Sequence, residues 1–295
     1  MSQHGVSTRR RYLPALAIGL GVIAASYVLI CVLILRIPIS QELTFEPGPE
    51  TAGQPLMVYA ELLSVDPVRA SLELRIDFAT ERTRMGTLFA GPADRDLAVL
   101  ISDGTNEQEV LLRRGQRMTP ASISVDIARG AIDSYPFDRY VADLEMAAYE
   151  GSDPASTHAV PLRITMWDRL AAWDIEVTEA HAQVDRPGDS FEFRVRRPVL
   201  HLIFATTLYA VMVLMATIGL TAGSLTFLKI RRLDTTLAAV SGTMVFSLPV
   251  LRNAMPGAPP LGVRADSLVF LWTELAVVIG LALIVATWAR HGDAR

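Results

Sequence analysis

The sequence predicts a membrane protein of mixed class, an extracytoplasmic antiparallel β-sandwich joined to four transmembrane α-helices. Three observations predict it. The chain of 295 residues is 51% hydrophobic, with a mean hydropathy of +0.33, and its apolar residues are gathered into a few long runs. Basic residues precede the first run and follow the second, which orients the chain, although Arg194, Arg196 and Arg197 stand at the outer end of the second. Between the first run and the second, apolar and polar residues alternate, the period of strands with one buried face.

Residues 1–12 form a tail that ends in Arg9, Arg10, Arg11 and Tyr12. The first span is 13–35. At about 1.5 Å per residue it crosses a hydrocarbon core of about 30 Å. The arginines hold its start in the cytoplasm, and Glu42, Glu46 and Glu50 follow on the outer side. No small-x-small site closes the run, so it is expected to be an uncleaved anchor rather than a signal peptide. The single cysteine, Cys31, lies inside it, which excludes an intrachain disulfide.

Residues 37–198 are the outer domain. SLELRIDF (Ser71–Phe78), SISVDIA from Ser122 and FEFRV from Phe191 alternate cleanly. LMVYAELLSV, DLAVLIS, EQEVLLRR, YVADLEM and PLRITMW supply further strands, with ADRD, SDGTNE, ARGAIDS, EGSDPAS and DRPGDS as turns between them. Two sheets that bury these faces against each other make a sandwich. Trp167, Trp173 and Tyr149 are expected in its core.

The second span, 199–228, ends in LKIRRLD, whose Lys229, Arg231 and Arg232 make a basic inner loop. The third, 235–251, returns outward. RNAMPGAPPLGVRAD (Arg252–Asp266) is rich in Pro and Gly and so is not helical throughout. The fourth span is 267–288, followed by a tail of 289–295. Trp272 and Trp288 suit the membrane interfaces. Both termini are then cytoplasmic and the large domain lies outside the cell (inner) membrane.

The net charge of −4 argues against a nucleic-acid partner. There is no phosphate loop, dinucleotide glycine motif, metal-spaced His/Cys cluster or nucleophile elbow. The histidines are isolated, and Glu150, Asp153 and His158 lack the spacing of a ligand set. No catalytic, cofactor-binding or metal-binding residue is expected, and the chain is not expected to be an enzyme. The expected partners are the lipid bilayer, further copies of the chain, and an envelope protein or small ligand at the outer domain.

The stretch SYPFDRYVADLEMAAY (Ser134–Tyr149) concentrates the candidate residues: a turn at Pro136, Tyr135 and Phe137 on either side of it, then Asp138 and Arg139. Asp138 either bonds nearby backbone amides, as turn carboxylates do, or pairs with a cation. Around the turn, DIARGAIDSYPFDRYVADLEMAAYEG is strand, proline turn and strand. WDIEVTEA follows, and FEFRVRRPVLHLIF carries the last strand into the second span. From Asp126 to Trp288 this order resembles the pentameric ligand-gated ion channels. That resemblance implies that Asp138 faces Arg196 or Arg197 at the membrane boundary and couples the domain to the helices. The whole chain, through LPVLRNAMPGAPPLGVRAD and FLW, resembles an uncharacterised, mainly actinobacterial family of bacterial membrane proteins filed as domain of unknown function 4436. This second likeness implies topology and no activity.

Three further groups have two readings each. Arg252, Arg264 and Asp266 lie at outer span ends. They either reach lipid headgroups or belong to a loop docked under the turn. Glu274, within the fourth span, either reaches the outer interface or faces a partner, Arg264 or hydroxyls of the third span. Thr236, Thr243 and Ser247 share one helical face, which either lines a pore in an oligomer or packs, with Ser241 and Gly242, between helices. The functional classes that remain are a sensor or channel-like receptor and a structural or assembly factor of the cell envelope that docks through the sandwich.

Overall fold

The computed structural model describes residues 32, 41–46, 54–79, 91–151, 158–168, 170, 172–180 and 188–292. The expected first span, Cys31 and the tail 1–12 lie outside the described residues, save Val32. The chain divides into two units, Met1–Ile39 and Ser40–Arg295, and the elements below belong to the second.

Its first part is a sheet domain of eleven strands: β1 (Gln41–Phe45), β2 (Leu56–Asp66), β3 (Ser71–Ala79), β4 (Leu97–Ser102), β5 (Glu107–Leu112), β6 (Ala121–Gly130), β7 (Arg139–Glu150), β8 (Ala159–Val160), β9 (Leu162–Asp168), β10 (Asp174–Ala180) and β11 (Asp189–Arg196). The main path runs β1-β9-β2-β3-β6-β7-β11-β10, with β4 and β8 also on β7 and β5 on β4. Strand β6 changes partner midway. Ala121–Asp126 pair with β3, and Ile127, Arg129 and Gly130 pair with β7, with a register shift between Ile127 and Arg129. A strand that switches partner at a bulge turns a corner in a sheet. Alternate residues from both sides of that corner, among them Val58, Leu74 and Ile164 on one side and Val99, Leu144 and Phe193 on the other, meet in one apolar core.

One expectation is corrected. The strands are not all antiparallel, because β2 and β9 pair in parallel. Strand β9 also pairs antiparallel with β1. It lies between two strands of opposite direction, so it must run parallel to one of them. Alternation does not report direction. The sequence reading also lacked β1 and the two-residue β8.

Strand β7 is the spine. It pairs with β6 and β4 along one edge, and with β11 and β8 along the other. Its buried residues alternate strictly, Tyr140, Ala142, Leu144, Met146 and Ala148. The turn that precedes it is therefore anchored to a strand that is paired along both edges.

Three helices follow: α1 (Val199–Phe227), α2 (Thr235–Asn253) and α3 (Leu271–Gly292), the last preceded by a π-helical turn at Asp266–Phe270. The stretches Val199–Phe227, Thr235–Asn253 and Asp266–Arg290 are long and apolar enough to cross a membrane. Helix α2 runs two residues beyond the expected Leu251 and takes in Arg252, while Pro249 lies inside it.

Helices α1 and α3 make the tight pair. Ala205, Tyr209, Met212, Ala216, Gly219, Gly223 and Thr226 are buried on α1, at alternating spacings of four and three. On α3 the corresponding stripe is Thr273, Val277, Gly280, Ile284 and Thr287. This spacing lets the ridges of one helix fit the grooves of the other. A Cβ at Gly223 would lie 2.3 Å from the Gly280 carbonyl oxygen, and one at Gly280 would lie 2.5 Å from that of Gly219. Only glycine permits this approach.

Candidate functional site

The turn between β6 and β7 sits at the junction of the sheet domain with the helices. Strand β6 ends at Gly130 (φ +137°), where a Cβ would fall 2.4 Å from the Tyr140 ring. A single 3-10 turn, Ile132–Ser134, leads to a cis peptide bond between Tyr135 and Pro136. The Phe137 amide donates to the Ser134 carbonyl at 2.9 Å, which closes a turn with proline at its third position. Tyr135, Pro136, Asp138 and Tyr140 are thereby buried, whereas Phe137 and Arg139 are exposed.

Asp138 is 1% exposed and lies against Arg197, the residue before the N-cap Pro198 of α1. The Arg197 Nε donates to both carboxylate oxygens, at 3.1 and 3.3 Å, and the Tyr140 hydroxyl donates to Oδ2 at 2.7 Å. The Arg197 guanidinium carbon lies 3.9 Å from the centroid of the Trp173 ring and 5.6 Å from that of Tyr135. A desolvated cation gains from such ring faces. Burial, with the bond to Asp138 second, raises the Tyr140 pKa well above the usual phenol range. Burial also raises that of Tyr135, with Tyr209 the next contribution. Both remain neutral hydroxyl donors at physiological pH.

Tyr135 reaches the other way. Its hydroxyl donates to the Pro256 carbonyl at 3.0 Å. Its ring meets His201 of α1 edge to face at 5.9 Å, and it packs in the helix cluster with Tyr209, Met255 and Val263. Gly257, at φ +73°, lies against the Arg197 guanidinium, and a Cβ there would be 2.5 Å from Nη1. The turn thus contacts both the start of α1 and the loop between α2 and α3.

A second buried ion pair shapes that loop. Arg252 Nε donates to Asp266 Oδ1 at 3.0 Å and Nη2 to Oδ2 at 2.6 Å. Its Nη1 and Nη2 also donate to the carbonyls of Pro259 and Pro260, at 2.9 and 2.8 Å, and Asp266 accepts the Gly262 amide at 3.0 Å. Proline lacks an amide hydrogen but keeps its carbonyl, and this loop uses those carbonyls as acceptors for Arg252 and Tyr135.

The remaining candidates lie elsewhere. Arg196 is exposed and pairs with Asp174 at 2.8 Å. It also stands opposite Arg139 in the β7–β11 register. Arg264 is exposed. Glu274 is half-buried, and its Oε2 has no hydrogen-bond partner among the described residues. The partners expected for it on α2 are engaged otherwise: Thr243 donates to the Ala239 carbonyl and Ser247 to that of Thr243. Thr236 and Thr243 are exposed and Ser247 half-exposed, so this face is not packed between helices among the described residues, whereas Ser241 is buried. Among the described residues no cluster of His, Cys, Asp or Glu could hold a metal ion. Of the aromatics expected in the sheet core, Trp173 is partly buried against it, edge to face with Tyr140, and also covers Arg197, while Trp167 stacks on Tyr59.

The sequence reading missed Gly257, His201, Tyr209 and the glycines of the α1–α3 crossing. Gly219-x-x-x-Gly223 was the available signal for the crossing. The choice between Arg196 and Arg197 was also available. Phe191, Phe193 and Val195 are buried, so the strand's two-residue period continues to Arg197 and points Arg196 outward.

Fold and site together define a class: a sheet domain whose last strand runs directly into the first of three apolar helices, locked there by a buried ion pair. The chain belongs to the family described as domain of unknown function DUF4436, which matches residues 46–195. A second domain of unknown function, DUF8686, matches residues 197–291. The two matches meet at Arg196, next to the arginine that bonds Asp138. None of the curated proteins compared with the chain matches it.

Proposed function

We propose that this is a non-enzymatic, multi-pass protein of the cell (inner) membrane. Its outer domain, an antiparallel sandwich but for one parallel pair, transmits a binding event to the helices through the Tyr135–Arg139 turn. In this reading the span 13–35 is the fourth crossing, both termini are cytoplasmic and the sandwich is extracytoplasmic. The basic ends support that orientation, Arg9–Arg11 before the first span and Lys229, Arg231 and Arg232 between α1 and α2. The reading is that of a sensor or channel-like receptor.

The observation that carries it is the Asp138–Arg197 pair with Tyr135 on Pro256. These contacts tie the centre of the sheet domain to two places on the helices at once. A displacement of the turn would therefore move the start of α1 and the α2–α3 loop together. A double-mutant cycle on the full chain in nanodiscs tests the tie. Asp138→Ala and Arg197→Ala singly should each destabilise strongly, and the double variant by much less than their sum. Additive losses would sink the coupling. The receptor reading further expects a ring of subunits with the Thr236, Thr243 and Ser247 face of α2 accessible to water-soluble thiol reagents after cysteine substitution.

The docking reading has its own support. Among the described residues β5 pairs only with β4, which leaves an edge that a partner's strand can extend. A monomer or dimer that co-purifies with envelope proteins through this edge would favour an assembly factor.

A further inference from the structure

At the inner ends of α1 and α2 the structure leaves a groove. The α1 stripe that includes Gly219 and Gly223 is spent on α3, and α2 packs only lightly, burying Ser241, Leu248 and Arg252. Between the two helices lies a cavity of about 430 Å³, walled by Ala222, Leu225, Leu237 and Val240 and rimmed by Arg231 and Arg232. That volume is in the range that holds a small ligand or part of a lipid chain.

The rim is built with some care for charge. Helix α1 ends in a Schellman motif: the Lys229 amide donates to the Thr226 carbonyl and the Ile230 amide to that of Leu225, both at 3.0 Å. The left-handed residue such a motif requires is usually glycine. Here it is Lys229, at φ +58°, the single lysine of the chain. A side chain in this conformation is strained relative to glycine, so the position keeps a cation where glycine would be easier. Lys229, Arg231 and Arg232 are exposed, and no ion pair to them occurs among the described residues. The one acid at the mouth, Asp234, is already occupied as the cap of α2, accepting the Thr236 amide at 2.9 Å. The loop keeps an excess of positive charge at the mouth of an apolar groove.

We propose that this groove binds an anionic phospholipid of the inner leaflet, its phosphate on Arg231 and Arg232 with Lys229 alongside, and an acyl chain between Leu225 and Val240. Charge and shape argue together. Basic pockets between membrane helices on the cytoplasmic side attract anionic headgroups, and the apolar walls offer nothing to a free anion but suit a lipid tail. The proposal rests on the membrane orientation given above.

The test uses the full chain in vesicles of phosphatidylcholine with a minority of phosphatidylglycerol. Spin-labelled forms of each lipid report the fraction immobilised on the protein. The expected result is a preference for phosphatidylglycerol that falls about fivefold for each of Arg231→Gln and Arg232→Gln, and that survives Arg194→Gln on the sheet domain. Ala222→Phe, which fills the groove, should reduce it as well. Equal retention by the parent and the Arg231→Gln/Arg232→Gln double variant overturns the site. Competition by inorganic phosphate at the concentration that phosphatidylglycerol needs would show an anion site without a lipid tail, and overturns the lipid assignment. A protein released from vesicles by alkaline washing overturns the membrane reading and the proposal with it. One that stays inserted but shows no lipid preference overturns the proposal alone.

Discussion

Two buried ion pairs stand close together at the junction, and they are built differently. Arg252 meets Asp266 in a two-pronged fork, fourteen residues away in sequence, and spends its other donors on carbonyls of the loop between them. Arg197 offers one nitrogen, Nε, to Asp138, fifty-nine residues away, and turns its guanidinium face to Trp173. The first pair is local and closes a loop on itself. The second is long-range and joins the sheet domain to a helix. Burying charge costs several kcal/mol per ion, and good geometry with further hydrogen bonds must offset it. The loop pair meets that demand with carbonyls, and the junction pair with ring faces and the Tyr140 hydroxyl. Of the two pairs, only the junction pair joins the sheet domain to a helix.

The largest effect should therefore come from the local pair. Arg252→Met keeps the length of the side chain but leaves Asp266 charged and buried, with the Pro259 and Pro260 carbonyls unpaired. A loss of about 3–5 kcal/mol is expected, read as thermal unfolding in nanodiscs. The comparison requires that hydrogen exchange rise in residues 254–266 while β7 stays protected. If β7 loosens equally, the two pairs are not separable and the contrast fails.

A group in the sheet domain, remote from both pairs, gives a reference with its own pH signature. Asp103 accepts backbone amides from Thr105 at 2.8 Å, Asn106 at 2.6 Å and Asp126 at 3.0 Å. Burial alone would raise its pKa, but those amides outweigh burial and hold it below the usual 3.8. A carboxylate whose pKa is depressed by folding stabilises above the unfolded-state value, and that contribution is lost as pH falls through the folded one. Asp103→Ala should cost about 1–2 kcal/mol at pH 7, and parent and variant should converge below about pH 3.8. A gap that persists in acid would mean the side chain acts by packing and not as an acceptor.

Tyr135→Phe isolates the second tie from the sheet domain to the helices. It removes the hydroxyl that donates to Pro256 and keeps the ring between His201 and Arg197. About 1 kcal/mol is expected. A cysteine pair at Phe137 and Ala258 should nevertheless crosslink more slowly, because the loop has lost its bond to the turn. An unchanged crosslinking rate would leave Arg197 as the only effective link.

Much of this architecture was legible in the sequence because the sheet domain obeys a period of two. The buried residues of β7 follow their alternation without a break, and those of β3 do so as far as Phe78, after which Ala79 is buried as well. The spans were legible as apolar runs, but their orientation about their own axes was not. Most α1 side chains are apolar, so hydropathy does not distinguish the face on α3 from the face turned away from it. Size does, through Gly219, Gly223 and Gly280. The parallel β2–β9 pair and the Arg252–Asp266 fork depend on which segments meet in space. No local pattern encodes that. Within the site, the turn was visible from Pro136, but its contact with Pro256 was not, since the acceptor is a backbone carbonyl.

The smallest expected effect comes from the neighbour of the buried arginine at the junction. Arg196 and Arg197 are adjacent and chemically identical, and one bond of strand phase separates their fates. Arg196 points into solvent, pairs with Asp174 and stands opposite Arg139. Exposed pairs contribute about 0–1 kcal/mol, and the like charge across the strands works against even that. Arg196→Gln should shift stability by under about 0.5 kcal/mol, and the shift should shrink further in high salt. Arg197→Gln removes the cation that, among the described residues, bonds Asp138, and it should cost several times more, with little dependence on salt because water and ions do not reach it. If the two substitutions proved equal, or equally sensitive to salt, then Arg197 would not be buried at the junction, and the contrast between a local pair and a coupling pair would collapse.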